Sequence, residues 1–443
     1  MSQFIKSLCK IAIPVTLQSM LQASFSIVDQ IMIGQLGEIN VSAVGLCGNF
    51  SLIFSVVIGA VSTVAGILIA QFIGAGDAKE AWRSLDISMI CGIIISALFL
   101  FASGVFSSQI LGLYTKDTSI INVGAVYFRI VAFSYIPMAI STVLSAWLRC
   151  KEHAVIPFLA SLGAVFVNTG LNYVLIFGKL GFPTMGIQGA AIATLISQLF
   201  NLAFIIVGFV ICIKKDKDNP LLSFRFEKIT GKQYFIIIMP ILVSQFLWSL
   251  GQNVESAVYG HLGTSNLAAY TLTSPIQSLI VGALSGLSAA AGVMVGKRLG
   301  KKEYDEAYKE SKKIMYAGLI GAVLVSALLI LLAGVYTELY RVEYNVRELG
   351  KILLIVFALY APIKVENMIL SGGIIRSGGN TKIIMIIDII GTWFIGIPLC
   401  LLAAYVFKWG IVGVYTLLTT EEIFRLVVSL VIFKKRKWMI SLS

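Results

Sequence analysis

The sequence predicts an all-α integral membrane protein with twelve transmembrane helices in two pseudo-symmetric six-helix lobes. Three observations lead there. Of its 443 residues 58% are hydrophobic and only 13% charged, whereas a soluble domain carries roughly 25% charged residues. The apolar residues fall in twelve runs, each long enough for a spanning helix, which needs about 20 residues. Residues 11–81 also recur as residues 237–307, at a fixed offset of 226 and without a gap, with about 16 of 71 positions identical. Pro14 falls on Pro240, Asp29 on Glu255, Gly34 on Gly260, Ala65-Gly66 on Ala291-Gly292, Gly74 on Gly300 and Glu80-Ala81 on Glu306-Ala307. Such a repeat marks a duplicated bundle.

The runs follow in order. The first, 12–34, holds Pro14 and Asp29. The next three are 44–72, 86–107 and 122–147, the last with Pro137. Run five, 155–178, carries Asn168 and Asn172, and run six, 185–213, opens on Gly186-x-x-Gly189 and holds Thr194. A polar link, 214–233, separates the lobes 1–213 and 234–443. Run seven, 234–259, repeats the first with Pro240 and Glu255. Then come 270–297, 312–335 and 349–375, the last with Pro362, Lys364, Glu366 and Asn367. Runs 382–406 and 410–433 complete the set, with Asp388 in one and Glu421, Glu422 and Arg425 in the other. All are apolar all round and too long for barrel strands, and in lipid only a helix or closed barrel satisfies the backbone. The segment 298–312 reads as a cytoplasmic amphipathic helix.

With Met1 inside, 25 of the 34 Lys and Arg residues fall on cytoplasmic segments. That bias predicts a cell-membrane protein with both termini in the cytoplasm. Six spans per half is an even number, so the repeats run parallel about an axis along the membrane normal. The basic residues lie in short separate loops, which argues against nucleic acid as a partner. The first run is span-length and lacks a cleavage site, so it reads as an insertion signal and not a leader. Six scattered cysteines have no metal or disulfide spacing. No soluble region has room for an ATPase, and Gly292 to Lys297 has the wrong spacing for a P-loop. The chain therefore reads as a transporter and not an enzyme, with no cofactor.

Asp29 is the residue that most needs explaining. It lies about 25 Å along its run at 1.5 Å per residue, in the outer half of the bilayer. A lone carboxylate there must protonate, pair or hold a cation. Asn168 and Asn172 share one helix face at i and i+4, and Thr194 reaches a similar depth on a descending run. One carboxylate, two amides and a hydroxyl make an oxygen-rich set, the kind a hard cation prefers. In the second half Glu255, Glu366 and Asn367 are candidates for a cation or substrate site, and Glu422 and Arg425 have the spacing of an i, i+3 pair. Pro14 lies 15 residues before Asp29 and cannot donate its backbone hydrogen bond, so it is a candidate bending point. Pro137 and Pro362 read as lying well inside their spans. The aromatic residues offer cation–π contacts for flat organic cations.

Several strings resemble one known family. Val28-Asp29-Gln30-Ile31-Met32-Ile33-Gly34-Gln35-Leu36-Gly37 is similar to the first-helix signature of the multidrug and toxic-compound extrusion (MATE) family, and the stretch ending Gly260-His261-Leu262-Gly263 echoes it. Asn168 to Gly178 resembles that family's helix 5, Gly186 to Thr194 its helix 6, and Arg376-Ser-Gly-Gly-Asn-Thr381 its loop after helix 10. The resemblance implies a MATE-like bundle with a central cavity open alternately to each side. It implies efflux of small organic cations and drugs in antiport with Na⁺ or H⁺, by a chain that functions as a monomer among membrane lipids. It would place the coupling cation on Asp29, Asn168, Asn172 and Thr194, with Na⁺ as the bound metal where Na⁺ couples. It matches Pro14 to a proline at which helix bending is proposed. Some relatives carry Asp where this chain has Asn172. A lipid or lipid-linked sugar flippase of the same wider superfamily is the alternative, and the mostly acidic intramembrane charge favours cationic cargo over it.

Overall fold

A computed structural model describes residues 3–216, 231–338, 340 and 342–442. Residues 217–230, most of the expected link, lie outside that range. The chain opens with α1 (Gln3–Gly34), α2 (Glu38–Ala75), α3 (Ala78–Val105) and the short α4 (Ser107–Gly112). Span four is α5 (Thr118–Ala132) and α6 (Tyr135–Cys150), bent by 43° at the break. Pro137 therefore stands in the first turn of α6, where proline is tolerated, and not well inside a helix. The half closes with α7 (Val155–Phe177) and α8 (Gly186–Asp216).

The second half holds α9 (Gly231–His261), α10 (Thr264–Gly300), α11 (Tyr304–Glu338) and α12 (Tyr344–Asn367). The expected separate helix over 298–312 is instead the end of α10, a tight turn with Lys302 at φ 61°, and the start of α11. Arg298 ties that turn down through Glu303 and through Glu310, its Nη2 donating to Glu310 Oε1 at 2.8 Å. α12 runs on as a π-helix, Met368–Ile375. Span eleven is α13 (Thr381–Ile389), a π-stretch Ile390–Gly396, α14 (Ile397–Leu401) and another π-stretch Leu402–Val406. Span twelve is α15 (Ile411–Thr419) and α16 (Glu421–Lys435). Ten single helices among the described residues are long and apolar enough to cross a membrane, and the bent α5–α6 pair makes an eleventh. The twelfth is divided at Thr420, where Glu421, Glu422 and Arg425 interrupt the apolar run. The result is an all-α, twelve-span membrane fold.

By packing, the chain forms two compact units. One comprises Met20–Ile69 and Ala78–Thr230, the other Met1–Ser19, Ala70–Asp77 and Gly231–Ser443. Thus α1 and α2 each contribute to both. In the first unit α3 presents a buried stripe of small residues, Ser84, Ser88, Gly92, Ser96 and Ser103. Small residues let helices approach closely where lipid supplies no hydrophobic drive. Ser84 and Ser88 donate to carbonyls of their own helix at 2.8 Å. Phe54, Phe128 and Tyr135 fill the core between α2, α5 and α6. The second unit's core gathers around Leu353, Leu354 and Phe357 of α12, with Tyr259, Tyr415 and Leu418.

The repeated glycines have a physical reason. A Cβ on Gly74 would stand 2.7 Å from the Lys297 carbonyl carbon, and one on Gly300 would stand 2.7 Å from that of Gln71. Lys297 and Gln71 are themselves related by the 226-residue offset. The ends of α2 and α10 therefore cross backbone to backbone, each glycine against the other helix, in the unit containing both segments. Fully buried Gln71 secures the crossing. It donates to the Ser377 carbonyl at 2.6 Å and the Ile440 carbonyl at 3.2 Å, and accepts from the Leu442 N–H at 2.7 Å.

Candidate functional site

The geometry around Asp29 begins with how tightly α7 and α8 are joined. Gly178 caps α7 in the left-handed conformation at φ 65°, which a side chain resists. Across the turn, a Cβ on Gly189 would stand 2.7 Å from the Leu175 carbonyl carbon. The two glycines hold α7 against α8 and so fix the depth at which Asn168 and Asn172 face α1. Asn172 is 2% exposed, and its Nδ2 donates to Asp29 Oδ1 at 2.8 Å. The same nitrogen lies 3.1 Å from Asn168 Oδ1. Turned with its nitrogen toward the acid, the Asn168 amide donates to both carboxylate oxygens, at 2.9 Å and 3.1 Å.

Three of the four expected ligands therefore meet. Thr194 takes a different bond: its hydroxyl donates to the Ala190 carbonyl of its own helix at 3.0 Å. That spends its proton and leaves oxygen lone pairs to accept or coordinate. Asn172 Oδ1 is buried without a partner. A buried amide oxygen left open costs about 1–3 kcal/mol, and a cation or a protonated acid beside it would supply what is missing. Buried Tyr127 on α5 also feels the Asp29 charge, a neighbour that the sequence pattern did not single out because it sits in an ordinary apolar run. Pro14 lies inside α1, which runs unbroken through it.

Glu255, the repeat partner of Asp29, has a different setting. Its Oε2 accepts from Gln252 Nε2 of its own helix at 3.0 Å. Around it lie the charges of Glu421, Lys364, Arg425 and Glu422. The expected Glu422–Arg425 pairing at i, i+3 is replaced. Arg425 Nη2 pairs with Glu421 at i, i+4, 3.2 Å away, and Glu422 accepts from Asn367 Nδ2 at 2.7 Å. One helical turn brings position 421 under 425, while Asn367 draws position 422 toward α12. Asn367 thus joins this network. Glu366, its neighbour, faces α11 at Gly318, where a Cβ would come 3.2 Å from Oε1, and that oxygen has no partner. Asp388 accepts from Ser244 of α9 and lies 3.9 Å from Arg425. Among the described residues no cluster of three or more His, Cys, Asp or Glu forms a site for a metal ion.

Twelve spans, an internal duplication and carboxylates held among amides inside the bundle define a membrane transporter. The sequence matches the MatE family over residues 14–174 and again over 240–402, so the two matches begin at the paired prolines Pro14 and Pro240. The chain belongs to that family. It is 25% identical over 440 residues to a probable multidrug resistance protein NorM of Thermotoga maritima, covering 98% of this chain and 93% of that one. It is 23% identical over 441 residues to the uncharacterized transporter YisQ of Bacillus subtilis, covering 98% and 95%. The fold superposes on a mutant of the Vibrio cholerae MATE transporter VcmN with a TM-score of 0.89 at 20% identity, covering 98% and 97% of the two chains.

Proposed function

We propose that this protein is a secondary multidrug exporter of the cell membrane, expelling organic cations by alternating access in exchange for Na⁺ or H⁺. Asp29, Asn168, Asn172 and Thr194 form its coupling site. The observation that carries this reading is the 2.8 Å bond from buried Asn172 to Asp29, made by an amide whose own oxygen is unpartnered. An ionised carboxylate inside the bundle must be neutralised or paired, and these neutral amides orient it without neutralising it. A monovalent ion on Asp29 would complete the charge, bind the open Asn172 oxygen and exchange with a cationic cargo. Both termini are cytoplasmic in this reading, 1–213 and 234–443 are the functional lobes, and one chain suffices. Bending of α1 at Pro14 belongs to the same cycle. The names of the NorM relatives support the cargo class.

The test is efflux of a fluorescent organic cation from proteoliposomes under an imposed Na⁺ gradient and, separately, a pH gradient. Transport driven by one of these, and reduced at least about a hundredfold by Asp29→Asn with the fold retained, is the expected result. Undiminished exchange by Asp29→Asn removes the coupling site. Absence of transport with either ion, alongside movement of a labelled lipid between leaflets, favours a lipid flippase.

A further inference from the structure

Arg425 stands out in the second unit as a buried cation among acids. Its side chain is 11% exposed, as is that of Glu421. Nη2 lies 3.2 Å from Glu421 Oε1 and donates to Thr392 Oγ1 at 2.6 Å, while Nη1 lies 3.9 Å from Asp388 Oδ1. Glu255 and Glu422 act on it through space. Two other cations act across space: exposed Lys364 on Glu255 and Glu421, and Arg376 on Asp388.

The backbone is shaped around this pair. The π-stretch Ile390–Gly396 carries Gly391, Thr392 and Gly396. A Cβ on Gly391 would stand 2.5 Å from Arg425 Nε, and one on Gly396 would stand 3.0 Å from Glu421 Cδ. Two glycines thus leave room for a guanidinium and its carboxylate, and the hydroxyl between them binds the guanidinium. π-stretches inside helices are rare and gather at functional sites. Glu421 Oε2 and Arg425 Nε remain buried without partners, so the pair satisfies only one edge of each group.

We propose that Arg425 is a tethered cation that fills the carboxylate site of the second unit and keeps a free monovalent ion out of it. Glu421 and Asp388 are the carboxylates nearest to Arg425, and Glu255 and Glu422 act from further off. Arg425 is the cation paired with them, held by its own helix at i, i+4 to Glu421. Removing one member of a buried pair leaves an uncompensated charge, which in this site is met by a cation from solution. The proposal deepens the exchange reading by assigning the free coupling ion to the Asp29 unit alone.

The experiment measures Na⁺-dependent thermal stabilisation of the purified full-length protein, against choline, at pH 8.5. Every variant carries Asp29→Asn, so the first-unit site is silent whether or not it couples transport. With Arg425 present, Na⁺ shifts the melting curve no more than choline does. Arg425→Gln gains a saturable Na⁺ shift, Arg425→Lys does not, and adding Glu421→Gln to Arg425→Gln abolishes the gain. Two results overturn the proposal. One is a Na⁺ shift with Arg425 intact that Glu421→Gln removes. The other is a folded Arg425→Gln protein with no Na⁺ response. Should Arg425→Gln fail to fold, the Arg425-intact and Arg425→Lys proteins still decide, because any Glu421-dependent Na⁺ shift in either refutes exclusion. Failure of the exchange reading appears instead in the Asp29→Asn efflux assay.

Discussion

Substituting the crossing glycines tests whether the repeat is kept by packing. A Cβ at position 74 would lie 2.7 Å from the Lys297 carbonyl carbon, and at position 300 it would lie 2.7 Å from that of Gln71. Ordinary contact begins at 3.4 Å and each carbonyl oxygen lies nearer than its carbon, so either helix must retreat by more than an ångström, against backbone that cannot rotate away. Overpacking of this kind costs about 1–3 kcal/mol. Gly74→Ala and Gly300→Ala should therefore each lower the apparent melting temperature of the detergent-purified protein by about 1–3 °C, and by similar amounts. Once one substitution has opened the crossing, the second enters partly relieved space. The double variant should then cost less than the sum, by roughly 0.5–1 kcal/mol. Gly66→Ala is the control: it is also repeat-conserved, but nothing lies within 4 Å of its Cβ position. Equal costs at 66 and 74, or a cost at 74 with none at 300, would refute the reasoning.

Two other perturbations address the coupling site and the crossing. Asn172→Asp places a second carboxylate 2.8 Å from where the first accepts its bond. It should lower the Na⁺ concentration for half-maximal exchange about tenfold, equivalent to ~1.4 kcal/mol, if Na⁺ is the coupling ion. A Na⁺ titration of efflux checks this, and an unchanged or raised half-saturation counts against Asn172 as an ion ligand. Gln71→Ala removes three bonds to buried or partly buried backbone groups and should destabilise by about 2 kcal/mol. Thermal unfolding reads the loss, and faster amide exchange at Leu442 locates it.

Much of the fold was legible because its signals are additive along the chain. Each apolar run is long, and the offset of 226 ties Pro14 to Pro240 and Gly74 to Gly300 without reference to structure. What was not legible depends on single bonds. The break in span four falls at Phe133 and Ser134, where the Pro137 ring excludes the hydrogen bond to the carbonyl four residues back. Hydropathy averages over that loss. The π-stretches need one extra residue per turn, and Gly372, Gly373, Gly391 and Gly396 were their only trace. A cluster of glycines in a span has several other uses. The segment 298–312 reads as one helix because its charged residues run on without a proline, whereas Arg298, Glu303 and Glu310 meet across a turn.

The Asp29 site was more legible than its counterpart for a reason that bears on how the halves diverged. Asn168 and Asn172 advertise a shared face because they lie one turn apart on one helix, and the geometry brings both to the carboxylate. Glu421 and Arg425 share a face in the same way, but no spacing joins them to Glu255, Asp388 and Thr392, since four separate helical segments must fold before those groups meet. The duplicated positions divide the same way. Gly74 and Gly300 are kept identical because each packs on the other's helix, so a change in one strains the other. Asp29 and Glu255 share only their charge, because each answers to helices that differ between the halves: paired amides on α7 in one, and Arg425 of α16 beside Glu421 in the other. Symmetry is retained where the two copies touch each other. It lapses where each copy arranges its own carboxylate.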